Sequence, residues 1–120
     1  MITKVTHISI FVSDQDEALK FYTEKLDLQV NTDETFDDFR WLTLNTQKDK
    51  NLEICLIYGQ PCVDSNAPIL SFETNNCNKT YQELKKKGVK FLQEPKEEPW
   101  GMGAVFQDPF GNIFYLNQPK

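Results

Sequence analysis

Near the start of the chain Ile8, Ile10 and Val12 alternate with His7, Ser9 and Phe11, the period-two pattern of a strand with two unlike faces. The apolar set is expected to face a helix. Asp14 and Glu17 follow at capping-box spacing, and Ala18, Leu19, Tyr22 and Leu26 recur three to four residues apart. This predicts a strand over 4–12, a tight turn and an amphipathic helix over 15–26. The pattern returns 62 residues further on, where Leu70, Phe72 and Thr74 take the places of Ile8, Ile10 and Val12. Cys77, Tyr81 and Leu84 mark a second helix stripe ending at Gly88, a residue suited to the left-handed position after a helix. The chain reads as two copies of one unit.

The segments between complete each copy. A strand is predicted over 28–36, and the Asp37-Asp38 pair turns the chain back through Phe39 to Asn45 as a hairpin. After the polar loop Thr46 to Asn51, Leu52 to Tyr58 (LEICLIY) has the strongest strand composition. These elements make one βαβββ module over about residues 1–60, and Gln60 to Pro68 is a connector. A second module over about 67–120 has strands near 69–74, 89–94, 101–107 and 112–118 and a helix at 76–87. Pro95 to Pro99 (PKEEP) is expected to interrupt it as a turn, and Asp108 to Gly111 (DPFG) to close a hairpin. Neither module has enough apolar layers to stand alone, so the expectation is an α+β fold of two βαβββ modules forming a single domain.

Composition narrows the functional classes. At 120 residues, with 39% hydrophobic and 26% charged residues, the chain has the make-up of one globular domain. No apolar run approaches the length of a membrane-spanning helix, and the first residues lack the basic and apolar regions of a signal peptide, so a cytoplasmic setting is expected. The net charge of -5 disfavours nucleic acid as a partner. Lys85, Lys86 and Lys87 close a helix, where cations complement its dipole. Cys55, Cys62 and Cys77 are odd in number and show no CxxC spacing, which suggests neither a disulfide framework nor a zinc knot.

The repeat offset carries His7 onto Ile69 and Glu53 onto Tyr115. On alternation His7 and Glu53 lie on strand faces away from the helices, and a cup-shaped sheet would gather these four residues around one hollow. Glu53 sits within an apolar strand, where a carboxylate requires a partner such as His7, water or a cavity. Pairing across the Asp108 to Gly111 turn is expected to place Phe106 opposite Ile113 and Ala104 opposite Tyr115, lining the hollow, and the offset adds Leu42 and Leu44, with Arg40 nearer the rim. Arg40 suits an anionic group, or simply pairs with nearby aspartates on the surface. Trp100, between Pro99 and Gly101, suits the edge of a pocket or interface.

Three stretches, HISIFVSDQDEALKFYTEKL, LEICL and AVFQDPFGNIFYL, together resemble the vicinal oxygen chelate superfamily of glyoxalase I, bleomycin-resistance proteins and extradiol dioxygenases. The resemblance spans nearly the whole chain. It implies the glyoxalase/bleomycin-resistance fold, commonly a homodimer, and in the enzymes a divalent metal held at four strand positions. Those positions fall on His7, Glu53, Ile69 and Tyr115, of which Ile69 has no donor atom and neutral tyrosine is a poor hard-metal ligand. The resemblance therefore implies a protein that holds a small apolar or aromatic molecule without a tightly bound metal, with His7, Glu53 and Tyr115 as its polar groups. The alternative is a glyoxalase-type lyase or dioxygenase with zinc, nickel, manganese or iron on His7 and Glu53.

Overall fold

The computed structural model describes residues 1–61 and 66–120. It divides into two compact units, Met1–Pro61 and Cys62–Lys120.

The first unit opens with β1 (His7–Val12) and α1 (Gln15–Lys20). Asp14 caps the helix, accepting a hydrogen bond from the Glu17 N–H at 3.0 Å. The expected continuous helix over 15–26 changes character half-way, because Phe21–Lys25 forms a π-helical turn in which the Leu26 N–H reaches the Phe21 carbonyl. Three strands follow, β2 (Gln29–Phe36), β3 (Phe39–Asn45) and β4 (Glu53–Tyr58), in the sheet order β1-β4-β3-β2. Asp37 starts the two-residue β2–β3 turn with φ 54, a conformation that aspartate tolerates better than most residues. One face of this sheet carries Ile10, Val12, Leu42, Leu44, Ile54 and Leu56, all buried with Ala18, Phe21 and Tyr22. Arg40 ties that face to its helix, donating to both carboxylate oxygens of Asp33 at 2.9 Å and to Asp16 at 2.7 Å. The amide of Gln15 adds bonds to the carbonyls of Arg40 and Leu56.

The second unit repeats the order: β5 (Leu70–Glu73), α2 (Cys77–Lys86), β6 (Lys90–Glu98), β7 (Gly101–Gln107) and β8 (Ile113–Pro119), arranged β5-β8-β7-β6. Asn76 caps α2 through the Lys79 N–H, and Gly88, at φ 90, ends it as the sequence predicts. Beneath α2 lies an aromatic cluster: Tyr81 meets Phe91 edge-on at 4.7 Å, and Phe91, Phe106, Phe114 and Phe72 continue it with ring spacings of 5.4–6.1 Å.

The PKEEP segment is not the expected turn. The strand β6 runs through Pro95 to Glu98, shifting register twice, and the chain reverses one step later at Pro99-Trp100. A strand tolerates proline when it is an edge, where a missing N–H breaks no ladder, and β6 is the edge of its sheet. Cys55 and Cys77 are buried free thiols, and burial pushes both above the usual thiol range. Cys62 lies outside the described residues. Among the described residues no helix is long and apolar enough to cross a membrane.

Candidate functional site

The parallel pairing of β1 with β4 sets His7 directly beside Glu53, and antiparallel pairing of β3 with β4 sets Thr43 beside Cys55. Paired residues share a face, so His7, Glu53, Thr43 and Trp41 all lie on the side of the first sheet turned away from α1. There His7 Nε2 stands 3.0 Å from Glu53 Oε2, and His7 Nδ1 lies 2.8 Å from the Thr6 hydroxyl. In the neutral imidazole this makes Nε2 the donor and Nδ1 the acceptor. The other carboxylate oxygen, Oε1, accepts from the side-chain amide of Asn31. Asn31 is the extra residue where the β2–β3 register slips between Val30 and Thr32, and such a bulge re-aims a side chain. The result is a polar row with one residue from each strand: His7, Glu53, Thr43 and Asn31.

Glu53 is thereby held below the usual carboxylate range. The nearby Thr43 hydroxyl contributes most, followed by Asn31 and His7, which together outweigh the opposing effect of burial. Thr43 itself is fully buried and its hydroxyl falls short of a fully formed hydrogen bond. Next to this row the Trp41 ring lies 5.6 Å from the His7 ring and 6.1 Å from Phe39. Phe39 and Phe11, also on this face, are each a little under half exposed.

In the second unit Tyr115 lies on the helix-free face, paired with Val105 on β7 and Ser71 on β5. Its hydroxyl accepts a hydrogen bond from the Trp100 indole N–H at 3.1 Å. The ring lies across Gly103, where a Cβ would come within 1.6 Å of the tyrosine oxygen. Gly103 is thus what allows the ring to lie flat on the strand.

Several expected positions are corrected. Leu42 and Leu44 do not share the His7 face: Leu44 pairs with Ile54, and both leucines pack on the helix side. Phe106 pairs with Phe114 and belongs to the aromatic cluster under α2, and Ala104 pairs with Leu116, not Tyr115. The turn closing this hairpin has five residues, Asp108 to Asn112, and a slip of one residue moves every side chain to the opposite face. Ile69 precedes β5 and bonds through its N–H to Ile113, so Ser71 is the residue beside Tyr115. Arg40 sits on the helix side, occupied by Asp16 and Asp33. Conversely, Asn31, Trp41, Thr43 and Gly103 escaped the sequence reading. The alternation of Leu42 and Leu44 with Trp41 and Thr43 already held the signal for two of them, and a glycine inside a strand held it for Gly103.

Of the four positions expected for a metal, His7 and Glu53 supply donors and stand together, engaged with one another. Among the described residues no group of three or more His, Cys, Asp or Glu side chains is placed to hold a metal ion.

Two four-stranded mixed sheets, each with its own helix and each presenting polar and aromatic groups on the uncovered face, define an α+β protein of paired βαβββ modules. The family model of the Glyoxalase/Bleomycin resistance protein/Dioxygenase superfamily matches residues 4–116, and the chain belongs to that superfamily. The chain is 35% identical over 125 residues to the uncharacterized protein YurT of Bacillus subtilis (strain 168), covering 96% of this chain and 98% of YurT. The solved structure of UcmS2 is similar at a TM-score of 0.89 and 36% identity, covering 98% of this chain and 99% of that one. TnmS3, an antibiotic binding protein from Streptomyces sp. CB03234, is similar at a TM-score of 0.87 and 30% identity, covering 99% and 98%.

Proposed function

We propose that this protein binds a small apolar or aromatic molecule against the helix-free sheet surface, with His7 and Glu53 as its polar anchor and without a tightly bound metal. The observation that carries this reading is the row His7, Glu53 and Asn31 beside the half-buried ring of Trp41, which the exposed Phe39 ring adjoins, with Phe11 exposed on the same sheet face. A few convergent polar groups within an aromatic surface suit the orientation of a planar ligand. The likeness to an antibiotic binding protein over nearly the whole of both chains supports it. The proposal includes a homodimeric assembly, as the superfamily resemblance implies, and a cytoplasmic setting.

The second reading, a glyoxalase-type lyase or dioxygenase, takes its support from the same pair, with His7 and Glu53 serving as ligands to zinc, nickel, manganese or iron. The metal would polarise a substrate oxygen, and both residues would have to give up their present hydrogen bonds to hold it. Equilibrium dialysis against a panel of aromatic antibiotics, together with metal analysis after chelator treatment, separates the two. The expected result is saturable binding of at least one compound, weakened about tenfold or more in His7→Ala, with no metal retained. Stoichiometric metal that survives the chelator and is lost in Glu53→Ala, with no compound bound, would establish the metal enzyme instead.

A further inference from the structure

We infer that Tyr115 is a fixed hydrogen-bond donor for a ligand, and that the molecule taken on the helix-free face of the second unit carries a carbonyl or similar acceptor on its aromatic body. This goes beyond the binding reading above, which concerns the first unit, and stands on residues of the second unit alone. A phenolic hydroxyl has one proton to donate and lone pairs to accept with. The Trp100 indole N–H can only donate, so at 3.1 Å it occupies an acceptor position on the Tyr115 oxygen and leaves the O–H free to point elsewhere. Among the described residues the indole is the hydroxyl's hydrogen-bond partner, and as a donor it leaves the phenolic proton available to an acceptor on a ligand.

Three backbone features keep the hydroxyl in place. Gly103 lies under the ring, and any larger residue would push the oxygen away. Gly101, at φ +144, allows the β6–β7 turn to come against β8, where an added Cβ would lie 2.0 Å from the Gln118 carbonyl oxygen. The Trp100 carbonyl then accepts from the Lys120 N–H at 3.2 Å, which anchors the turn that presents the indole. A donor oriented before binding loses little freedom when it meets its acceptor, and its contribution to discrimination is correspondingly full. The exposed Trp100 ring, 56% accessible, offers a flat apolar surface beside the same oxygen.

The test uses two probes of nearly equal size, 2-acetonaphthone and 2-ethylnaphthalene, which differ in one carbonyl oxygen. Equilibrium dialysis with the full chain is expected to show the ketone bound about tenfold more tightly. Tyr115→Phe should bring the ratio to about one while hydrocarbon binding persists, and Trp100→Phe should lower it part of the way. Gly103→Ala, checked for folding by circular dichroism, should behave like Tyr115→Phe with the tyrosine still present. A wild-type protein that binds both probes equally, or a ketone preference that survives Tyr115→Phe, would overturn the donor assignment and leave the binding reading standing. Failure to bind either probe would likewise overturn the donor assignment.

Discussion

Glu53 keeps its charge on an otherwise apolar strand because the groups around it favour the ionised form more than burial opposes it. Its folded-state pKa lies below the ordinary value of a glutamate carboxyl, so its contribution to stability is present above that ordinary value and disappears as the pH falls through the folded-state pKa. Asp33 behaves in the same direction through its hydrogen bonds to Arg40. Acid should therefore destabilise the wild-type chain, and Glu53→Gln should lose less of its urea midpoint between pH 5 and pH 3 than the wild type does. Equal losses would show that the carboxylate is not favoured by its neighbours. The pairing of His7 with Glu53 was legible in the sequence, because both residues lie on strands whose alternation assigns them a face. The face of Thr43 was legible in the same way, but its nearness to Glu53 depends on the order β1-β4-β3-β2, and that of Asn31 on a bulge that no local pattern announces.

At the scale of elements, the turn between β7 and β8 decides more than its length suggests. The buried Asp108 carboxylate accepts from the N–H groups of Phe110 and Asn112 at 2.9 Å and from the Asn112 side-chain amide at 2.8 Å. Asp108→Ala would leave these donors unsatisfied inside the fold, at a cost of about 2–3 kcal/mol. Urea unfolding followed by circular dichroism measures it, and a loss below about 0.5 kcal/mol would mean that water replaces the carboxylate without penalty. The sequence marked the turn correctly but counted it one residue short. That count moved Phe106 and Ala104 to the wrong face, although the strands themselves were placed to within a few residues. The β6 edge shows the reverse case, in which Pro95 suggested a break and the strand's position in the sheet removed the reason for one.

For the whole molecule, each unit builds one sheet covered by one helix and leaves its other face carrying the polar and aromatic groups. We propose that two copies of the chain associate, and light scattering at micromolar concentration should give twice the chain mass of 14.0 kDa. A single-chain mass across that range would refute the dimer. The sequence by itself determined the series of strands and helices, the internal repeat and the helix ends. All of these depend on local alternation, capping side chains and glycines whose effects reach only a few residues. The tertiary structure decided which residues meet: Arg40 with Asp16 and Asp33, Asn31 with Glu53, and Tyr115 with Trp100 over Gly103. Those contacts depend on strand order and register, and a register is fixed by the length and internal hydrogen bonds of turns, where one residue more exchanges the two faces of a strand.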